Sequence, residues 1–168
     1  MELTNQQYTT LAAHIRANAT PAVVAALAIR NDNGIKDEYN KTSATKAWRY
    51  AVDGLGLWDA MTMTQFDSIS VASKRELWLK WIDMADRRPV DFGMAKNRNA
   101  IADIWSVLTA AQLAALYTKL TEDATIFETV FNSPTETVGT NPNQVSAIDR
   151  VVVGPVEVGV ISKALNEF

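Results

Sequence analysis

The sequence predicts a mainly α-helical protein, a compact multi-helix domain with a minor two-stranded β element. Three observations predict this class. Residues that cap helices precede several apolar runs, apolar residues recur at a spacing of three and four, and only two short segments look like strands. The 168 residues include no cysteine and carry a formal net charge of −3, so the fold does not depend on disulfides. A chain of this length is expected to form one domain, residues 1–168.

Four segments match the capping box, which marks the start of a helix. In this motif a Ser or Thr side chain and the Glu or Gln three residues later each bond a backbone N–H group that would otherwise be unpaired. The four segments begin at Thr4, Thr62, Ser73 and Thr109. Each cap stabilises its helix by about 1 kcal/mol. We therefore expect helices to start at these four positions.

Other helices are predicted from periodicity and from turn residues. Thr20 followed by Pro21 is typical of a cap with proline in the first turn. The Asn-Asp-Asn-Gly segment at 31–34 predicts a turn that ends this helix, and a short helix from Ile35 to about Lys41 follows. Thr121, with two acidic residues after it, predicts another helix start. Apolar residues also recur at helical spacing in three further stretches: 77–82, 100–105 and 156–165.

Two segments look like strands. Residues 47–52 alternate large and small side chains, and residues 149–153 are rich in valine. If both are strands, they pair across about 100 residues and need helices packed against them. Between them, residues 132–144 are rich in Ser, Thr, Pro, Asn and Gly, which predicts a long exposed loop.

Chemical motifs are scarce. The single histidine, His14, lies beside the apolar stripe of a helix and is interpreted as structural. The sequence has neither a phosphate-binding G-x-x-x-x-G-K-[ST] motif nor a G-x-S-x-G nucleophile motif. The acidic pairs Asp37/Glu38 and Glu122/Asp123 point about 100° apart on a helix, so neither converges as a catalytic pair. We therefore expect a non-enzymatic protein with no catalytic residue, no metal ligand and no cofactor.

The middle of the chain is its basic part. Residues 74–100 contain seven basic and four acidic residues, whereas residues 101–168 contain three basic and eight acidic ones. This asymmetry fits either ordinary surface scatter or a basic face that meets an acidic neighbour, including a second copy of the chain. Tryptophan serves both cores and interfaces, and Trp78 is surrounded in the sequence by cations. The interface candidates are therefore Trp78, Lys74, Arg75, Lys80, Arg87 and Arg88.

The sequence also resembles a known family. The run LTNQQYTTL at Leu3–Leu11 resembles the L-T-x-x-Q-Y-x-x-L opening of a family of small proteins encoded by tailed bacteriophages. The segment 123–128 departs from the family, because many members carry an A-T-R-A-E-like helix there and its arginine is absent. Similar segments extend over most of the chain: Trp48-Arg49, Phe66–Ser70, Lys74-Arg75, Asp91-Phe92, Arg98, Ile101–Trp105 and Val152–Val158. These motifs are structural, and the resemblance implies a phage origin but no assigned activity.

The resemblance and the scarcity of chemical motifs together predict a non-enzymatic bacteriophage virion or assembly protein. It would be a head–tail connector or tail-associated subunit that acts through protein–protein contacts. The alternative is a phage-encoded inhibitor that binds a host protein. The expected partners are phage structural proteins or the chain itself, in the virion or in the host cytoplasm during infection. We do not expect nucleic acid as a partner of an acidic chain. Nor do we expect a membrane, because the longest apolar run, 21–29, is far shorter than the roughly 20 residues needed to cross one.

Overall fold

The computed structural model describes residues 2–131, 135–140, 143–152 and 154–168. Within these ranges the chain is mainly helical with a minor β element, which confirms the predicted class. The strands are β1 Thr42–Trp48, β2 Thr121–Thr125, β3 Thr135–Thr140 and β4 Asn143–Ile148. The α-helices are α1 Asn5–Ala17, α2 Pro21–Ala28, α3 Asp32–Tyr39, α4 Gly54–Ala60, α5 Met63–Ser68, α6 Ala72–Arg87, α7 Ala95–Ile104, α8 Ala110–Lys119, α9 Ile126–Thr129 and α10 Val158–Glu167.

Side-chain caps start several helices where the sequence predicts them. The reciprocal capping box is present at Thr4, Thr62 and Thr109, each paired with the glutamine three residues later. Thr20 caps α2, and Pro21 occupies its first turn, as predicted. These caps involve only neighbours in sequence, so spacing alone is sufficient to locate them.

Helix α6 starts differently from the prediction. The predicted capping box at Ser73 is wrong, because the helix begins at Ala72 and Val71 holds the cap position without a side-chain bond. The carbonyl of Val71 accepts the first hydrogen bonds of the helix, from the N–H groups of Lys74 and Arg75 at 3.0 and 3.3 Å. Ser73 therefore already lies inside the first turn, and its hydroxyl does not define the helix start.

Helix α3 begins earlier than predicted. The sequence predicts a turn at 31–34 and a helix from Ile35, whereas α3 starts at Asp32. The side chain of Asn31 caps it by accepting a hydrogen bond from the N–H of Gly34 at 3.1 Å. The same polar residues therefore open the next helix, while the N–H of Asn31 also bonds the carbonyl of Ala26 at the end of the previous one.

The predicted helix start at Thr121 is wrong, because Thr121–Thr125 form β2. Helix α9 begins after this strand, where Thr125 and Glu128 form a capping box that the sequence analysis missed. The carboxylate of Glu128 accepts a hydrogen bond from the N–H of Thr125 at 2.8 Å. Its Thr-x-x-Glu spacing is the same signal that locates the other caps.

The β element is a sheet of four strands with the order β2–β1–β4–β3. The predicted strand at 47–52 overlaps β1 only at Ala47 and Trp48. The predicted strand at 149–153 is wrong, because β4 ends at Ile148 and residues 149–152 belong to no strand, while residue 153 lies outside the described residues. The chain leaves the sheet there, and Arg150 pairs with Glu128 instead. The strand that does pair with β1 is β4, which runs parallel to it with Ala47 opposite Ile148.

The predicted loop at 132–144 is wrong where the structure describes it, because those residues form strands, although Thr135, Thr137, Gly139 and Gln144 are exposed as predicted. Residues 135–140 form β3, which runs antiparallel to β4 with Thr135 opposite Ile148 and Thr140 opposite Asn143. Residues 132–134 and 141–142 lie outside the described residues. Small polar residues predict a loop from composition, but the partner strand satisfies their backbone groups and stabilises the extended form.

Contacts within the chain divide it into two compact units, where the sequence predicts one helical domain. Unit 1 comprises Met1–Thr45, Asp123–Ser133 and Arg150–Phe168, and unit 2 comprises Lys46–Glu122 and Pro134–Asp149. Each unit has its own cluster of buried apolar side chains. Two of the crossings between units fall inside β1 and β2, so no linker composition marks them.

Unit 1 is built around α1, α3 and α10. Leu11, Ile35 and Ile161 from these helices are fully buried together. His14 lies at the edge of this core with its Nδ1 2.8 Å from the hydroxyl oxygen of Tyr39. Burial lowers the pKa of His14 and raises the pKa of Tyr39 to about 12. His14 therefore packs and hydrogen-bonds inside the unit, which agrees with its structural interpretation.

A buried ion pair joins two segments of unit 1. The carboxylate of Glu128 is 3.0 Å from Nε of Arg150, and both side chains are almost completely buried. The carboxylate of Glu128 also accepts a hydrogen bond from the N–H of Gly154 at 3.3 Å. Gly154 has a φ of 91°, a conformation that favours glycine. Glu128 thus fixes the chain on both sides of residue 153.

Unit 2 has an aromatic core. Trp48, Trp78 and Trp105 are fully buried. Trp78 and Trp105 meet edge to face with ring centroids 5.1 Å apart, and Tyr117 lies 5.8 Å from Trp105 and 6.1 Å from Trp48. Burial raises the pKa of Tyr117, and the nearby charge of Arg98 opposes that rise. Such contacts stabilise the core beyond simple area burial.

Candidate protein-docking groove

The predicted interface residues separate into a buried, an internally bonded and an exposed group. Trp78 is the buried one, because it lies on the face of α6 that packs into the core of unit 2. The prediction that Trp78 belongs to a contact surface is therefore wrong. The cations around it in the sequence lie on other faces of the same helix, since neighbouring residues of a helix point in different directions.

Lys74 and Arg75 are bonded inside unit 2. The ammonium of Lys74 is 2.6 Å from the hydroxyl oxygen of Ser106. The guanidinium of Arg75 donates to two backbone carbonyls, that of Asp67 at 3.1 Å and that of Ile69. Both side chains therefore hold neighbouring elements in place instead of forming a charged outer surface.

Lys80, Arg87 and Arg88 are exposed, as a contact surface requires. Arg87 is paired with Asp83, one helical turn earlier, at 2.9 Å. An exposed pair of this kind contributes little to stability. Arg88 is the cation that borders a concave surface, at the end of α6.

That concave surface is a groove of about 280 Å³ between the end of α6 and the start of α7. Met84, near the end of α6, and Met94, just before α7, both line the groove, and each is 47 % exposed. Trp81 is half-buried against the core of unit 2. The groove is lined by Trp81, Met84, Arg88, Pro89, Val90, Asp91, Met94, Lys96 and Asn97.

Hydrogen bonds fix the backbone of the loop that forms the groove. Val90 pairs with Val52 in an isolated antiparallel bridge, with N···O distances of 3.0 and 2.8 Å. The carboxylate of Asp91 accepts from the N–H of Gly93 at 2.8 Å, and the amide of Asn97 donates to the carbonyl of Asp91 at 2.7 Å. The groove is therefore preformed, so a ligand does not have to order it.

Arg98 holds the same loop from the core. It is 1 % exposed, and its guanidinium donates to the carbonyl of Phe92 and to a carboxylate oxygen of Asp149 at 3.0 Å. The guanidinium also lies 4.9 Å from the ring centroid of Trp48. Burial raises the pKa of Asp149, and Arg98 opposes that rise by its charge and its hydrogen bond. Arg98 is thus structural, although it belongs to the basic segment of the sequence.

The rim of the groove carries positive charge. Arg88 and Lys96 line it and are exposed. Neither has an ion-pair partner in the part of the chain that the structure describes. Asp91 is the acidic side chain of the lining, and one of its carboxylate oxygens accepts the N–H of Gly93, so the lining holds two cations against one anion. The groove can therefore accept apolar side chains in its centre and carboxylates at its edge.

Arg88 is the one lining residue of the groove that the sequence analysis named as an interface candidate, and Met84, Met94 and Lys96 are among those that it missed. A signal for Met84 was present, because it follows Trp81 by three residues and so shares a helical face with it. No comparable signal existed for Met94 or Lys96. They reach the groove only because the loop after α6 turns the chain back.

The described residues offer no group of His, Asp and Glu side chains that could hold a metal ion. None of the helices in the described ranges is both long enough and apolar enough to cross a membrane. Comparisons with protein-family models, with curated proteins and with solved structures give no match to this chain. The groove is therefore interpreted from its own geometry and charge.

Proposed function

We propose that this chain is a non-enzymatic virion or assembly protein of a tailed bacteriophage, a head–tail connector or tail-associated subunit that binds other proteins. The observation that carries the proposal is the groove, which combines exposed methionines with the cations of Arg88 and Lys96. Methionine is flexible and polarisable, and it is common on surfaces that bind other polypeptides. The resemblance to small proteins of tailed phages supports the setting.

The partner that we propose is an acidic segment of another polypeptide of the particle. Its apolar side chains would cover Met84 and Met94 and displace water from them. Its carboxylates would pair with Arg88 and Lys96 at the rim. Charges at a rim govern the rate and orientation of association more than the affinity, so we expect association to slow as salt concentration rises.

The test is quantitative mass spectrometry of purified particles from phage that encode either the natural chain or Met84→Asp. We expect the natural chain at a fixed copy number, and about a ten-fold loss with the variant. A carboxylate in the groove would repel an acidic partner and would have to lose its own water on binding. Met63→Asp is the matched control, because Met63 is 58 % exposed and does not line the groove.

The outcomes separate the functional alternatives. Absence of the chain from natural particles would contradict the virion proposal. If a host protein then bound the natural chain and Met63→Asp but not Met84→Asp, a phage-encoded inhibitor would be the better description. Equal incorporation of both variants would show that the groove is not the docking surface.

A further inference from the structure

Helix α2 ends in an uncommon backbone conformation at Arg30. Its φ is 53°, and it is the only non-glycine residue with a positive φ in the described part of the chain. The N–H of Arg30 donates to the carbonyl of Leu27 at 3.1 Å, and the N–H of Asn31 donates to that of Ala26 at 2.8 Å. This is the Schellman pattern of a helix end. Its left-handed position usually holds glycine, because a Cβ atom is strained there.

The side chain of Arg30 lines a cavity of about 410 Å³ in unit 1 that is open to solvent, and Arg16 and Arg30 are both exposed. The cavity is formed by Arg16, Leu27, Arg30, Asp32, Leu165 and Asn166. The guanidinium of Arg16 donates to the carbonyl of Leu165 at 3.3 Å, which holds it at the wall. The guanidinium of Arg30 has no hydrogen-bond or ion-pair partner among the described residues. The side chain of this strained residue therefore adds a cation to the cavity without an internal hydrogen bond or ion pair in the described structure.

The carboxylate in the cavity wall does not neutralise these cations by pairing with them. Asp32 accepts a hydrogen bond from the hydroxyl of Ser162 and forms an ion pair with neither arginine in the described structure. Two guanidinium groups against one carboxylate leave an excess of positive charge. A guanidinium presents a planar fork of N–H donors that matches the two oxygens of a carboxylate or a phosphate.

We infer that this cavity binds an oxyanion, a carboxylate or phosphate group of a small ligand, through Arg16 and Arg30. The guanidinium of Arg30 supplies a charge that glycine, the better residue for this backbone, cannot supply. The volume of the cavity is in the range that accommodates small organic ligands. The inference concerns unit 1 alone and does not depend on the docking groove, which belongs to unit 2.

The variant Arg30→Gly tests the backbone strain and the anion binding of Arg30 by two different measurements. Because it removes the strain, we expect the folding equilibrium constant to increase about five-fold in urea titrations. Because it also removes the guanidinium, we expect affinity for the anion to fall about ten-fold. Affinity is measured by titrating the protein with inorganic phosphate, and separately with citrate, while the side-chain Nε–H signals of Arg16 and Arg30 are followed in ¹H–¹⁵N spectra. A response to phosphate alone identifies a phosphate ligand, and a response to citrate alone identifies a carboxylate.

Two further variants keep the test decisive. Arg16→Ala should weaken binding as Arg30→Gly does, whereas Arg87→Ala removes an exposed guanidinium outside the cavity and should leave binding unchanged. The inference is overturned if neither anion shifts the two arginine signals. It is also overturned if Arg30→Gly is more stable but binds the anion as tightly as the natural chain.

Discussion

Replacing Arg98 with methionine should destabilise unit 2 by about 3 kcal/mol. The change removes the cation that bonds the carbonyl of Phe92 and the carboxylate of Asp149, while methionine keeps most of the apolar stem. Removing one partner of a buried ion pair usually costs about 3–5 kcal/mol, because the other charge is left unpaired. The side chain of Asp149 is 29 % exposed, so water compensates part of that loss. The lower end of the range therefore applies.

Tryptophan fluorescence is suited to this measurement, because all five tryptophans lie in unit 2. Urea titrations of the natural chain and of Arg98→Met give the difference in the free energy of unfolding. Arg87→Met is the control and should change stability by less than about 0.5 kcal/mol, since Arg87 is exposed. Adding Asp149→Asn to Arg98→Met removes the unpaired charge, so it should recover about 1–2 kcal/mol.

The effect of Arg98→Met also depends on pH. Burial raises the pKa of Asp149 above its ordinary value of 3.8, and Arg98 opposes the rise. Without Arg98 the pKa of the folded variant rises further, so the folded state takes up a proton at a higher pH than the unfolded chain does. The stability deficit should therefore be largest near pH 7 and should shrink as pH falls through the raised pKa.

Two results would refute this reasoning. A loss below about 1 kcal/mol at neutral pH would mean that the ion pair does not hold the loop between α6 and α7. A deficit that stays constant with pH, with no recovery from Asp149→Asn, would mean that the cost arises from packing of the stem and not from the charge.

Three smaller predictions follow from local geometry. Gly54→Ala should destabilise unit 2 by about 1–3 kcal/mol in urea titrations, because the added methyl group would lie 2.6 Å from the carbonyl oxygen of Ile82. Thr62→Ala should cost about 1 kcal/mol and Ser73→Ala less than about 0.5 kcal/mol, and equal losses would contradict the assignment of caps. Burial raises the pKa of Tyr39 to about 12, so Tyr39→Phe should remove one phenol with this pKa from a pH titration followed by ultraviolet absorbance. Because folding raises that pKa from 10.0, the stability that Tyr39 contributes below pH 10 should be lost as pH rises to about 12.

Helix starts show which part of this fold is local. Thr62 caps α5 through atoms three residues away, so the sequence spacing contains the whole interaction. At Ser73 the same spacing fails, because α6 already starts at Ala72, and the side chain of Arg75 in its first turn bonds the carbonyls of Asp67 and Ile69. A spacing rule cannot include such bonds, since they depend on the path of the preceding chain.

The same limit applies to the sheet. β2 lies beside β1, although more than 70 residues separate Trp48 from Thr121 in the chain. The acidic residues of β2 resemble the first turn of a helix, and only the neighbouring strand makes the extended conformation favourable. A local signal is reliable where the interaction is local, and it is overridden where a distant partner satisfies the backbone.

The basic segment, residues 74–100, shows why the candidate surface in the structure differs from the one predicted from the sequence. Arg98 and Arg88 count equally in the net charge of residues 74–100, yet Arg98 is buried and Arg88 is exposed. The partner of Arg98 is Asp149, 51 residues away, so no window of sequence could have paired them. A buried guanidinium without a partner is strongly destabilising, whereas an exposed one stays hydrated and remains available to another molecule. The cations that we propose for docking are therefore Arg88 and Lys96, which have no internal ion pair among the described residues, and the candidate surface lies at the end of α6 and not around Trp78.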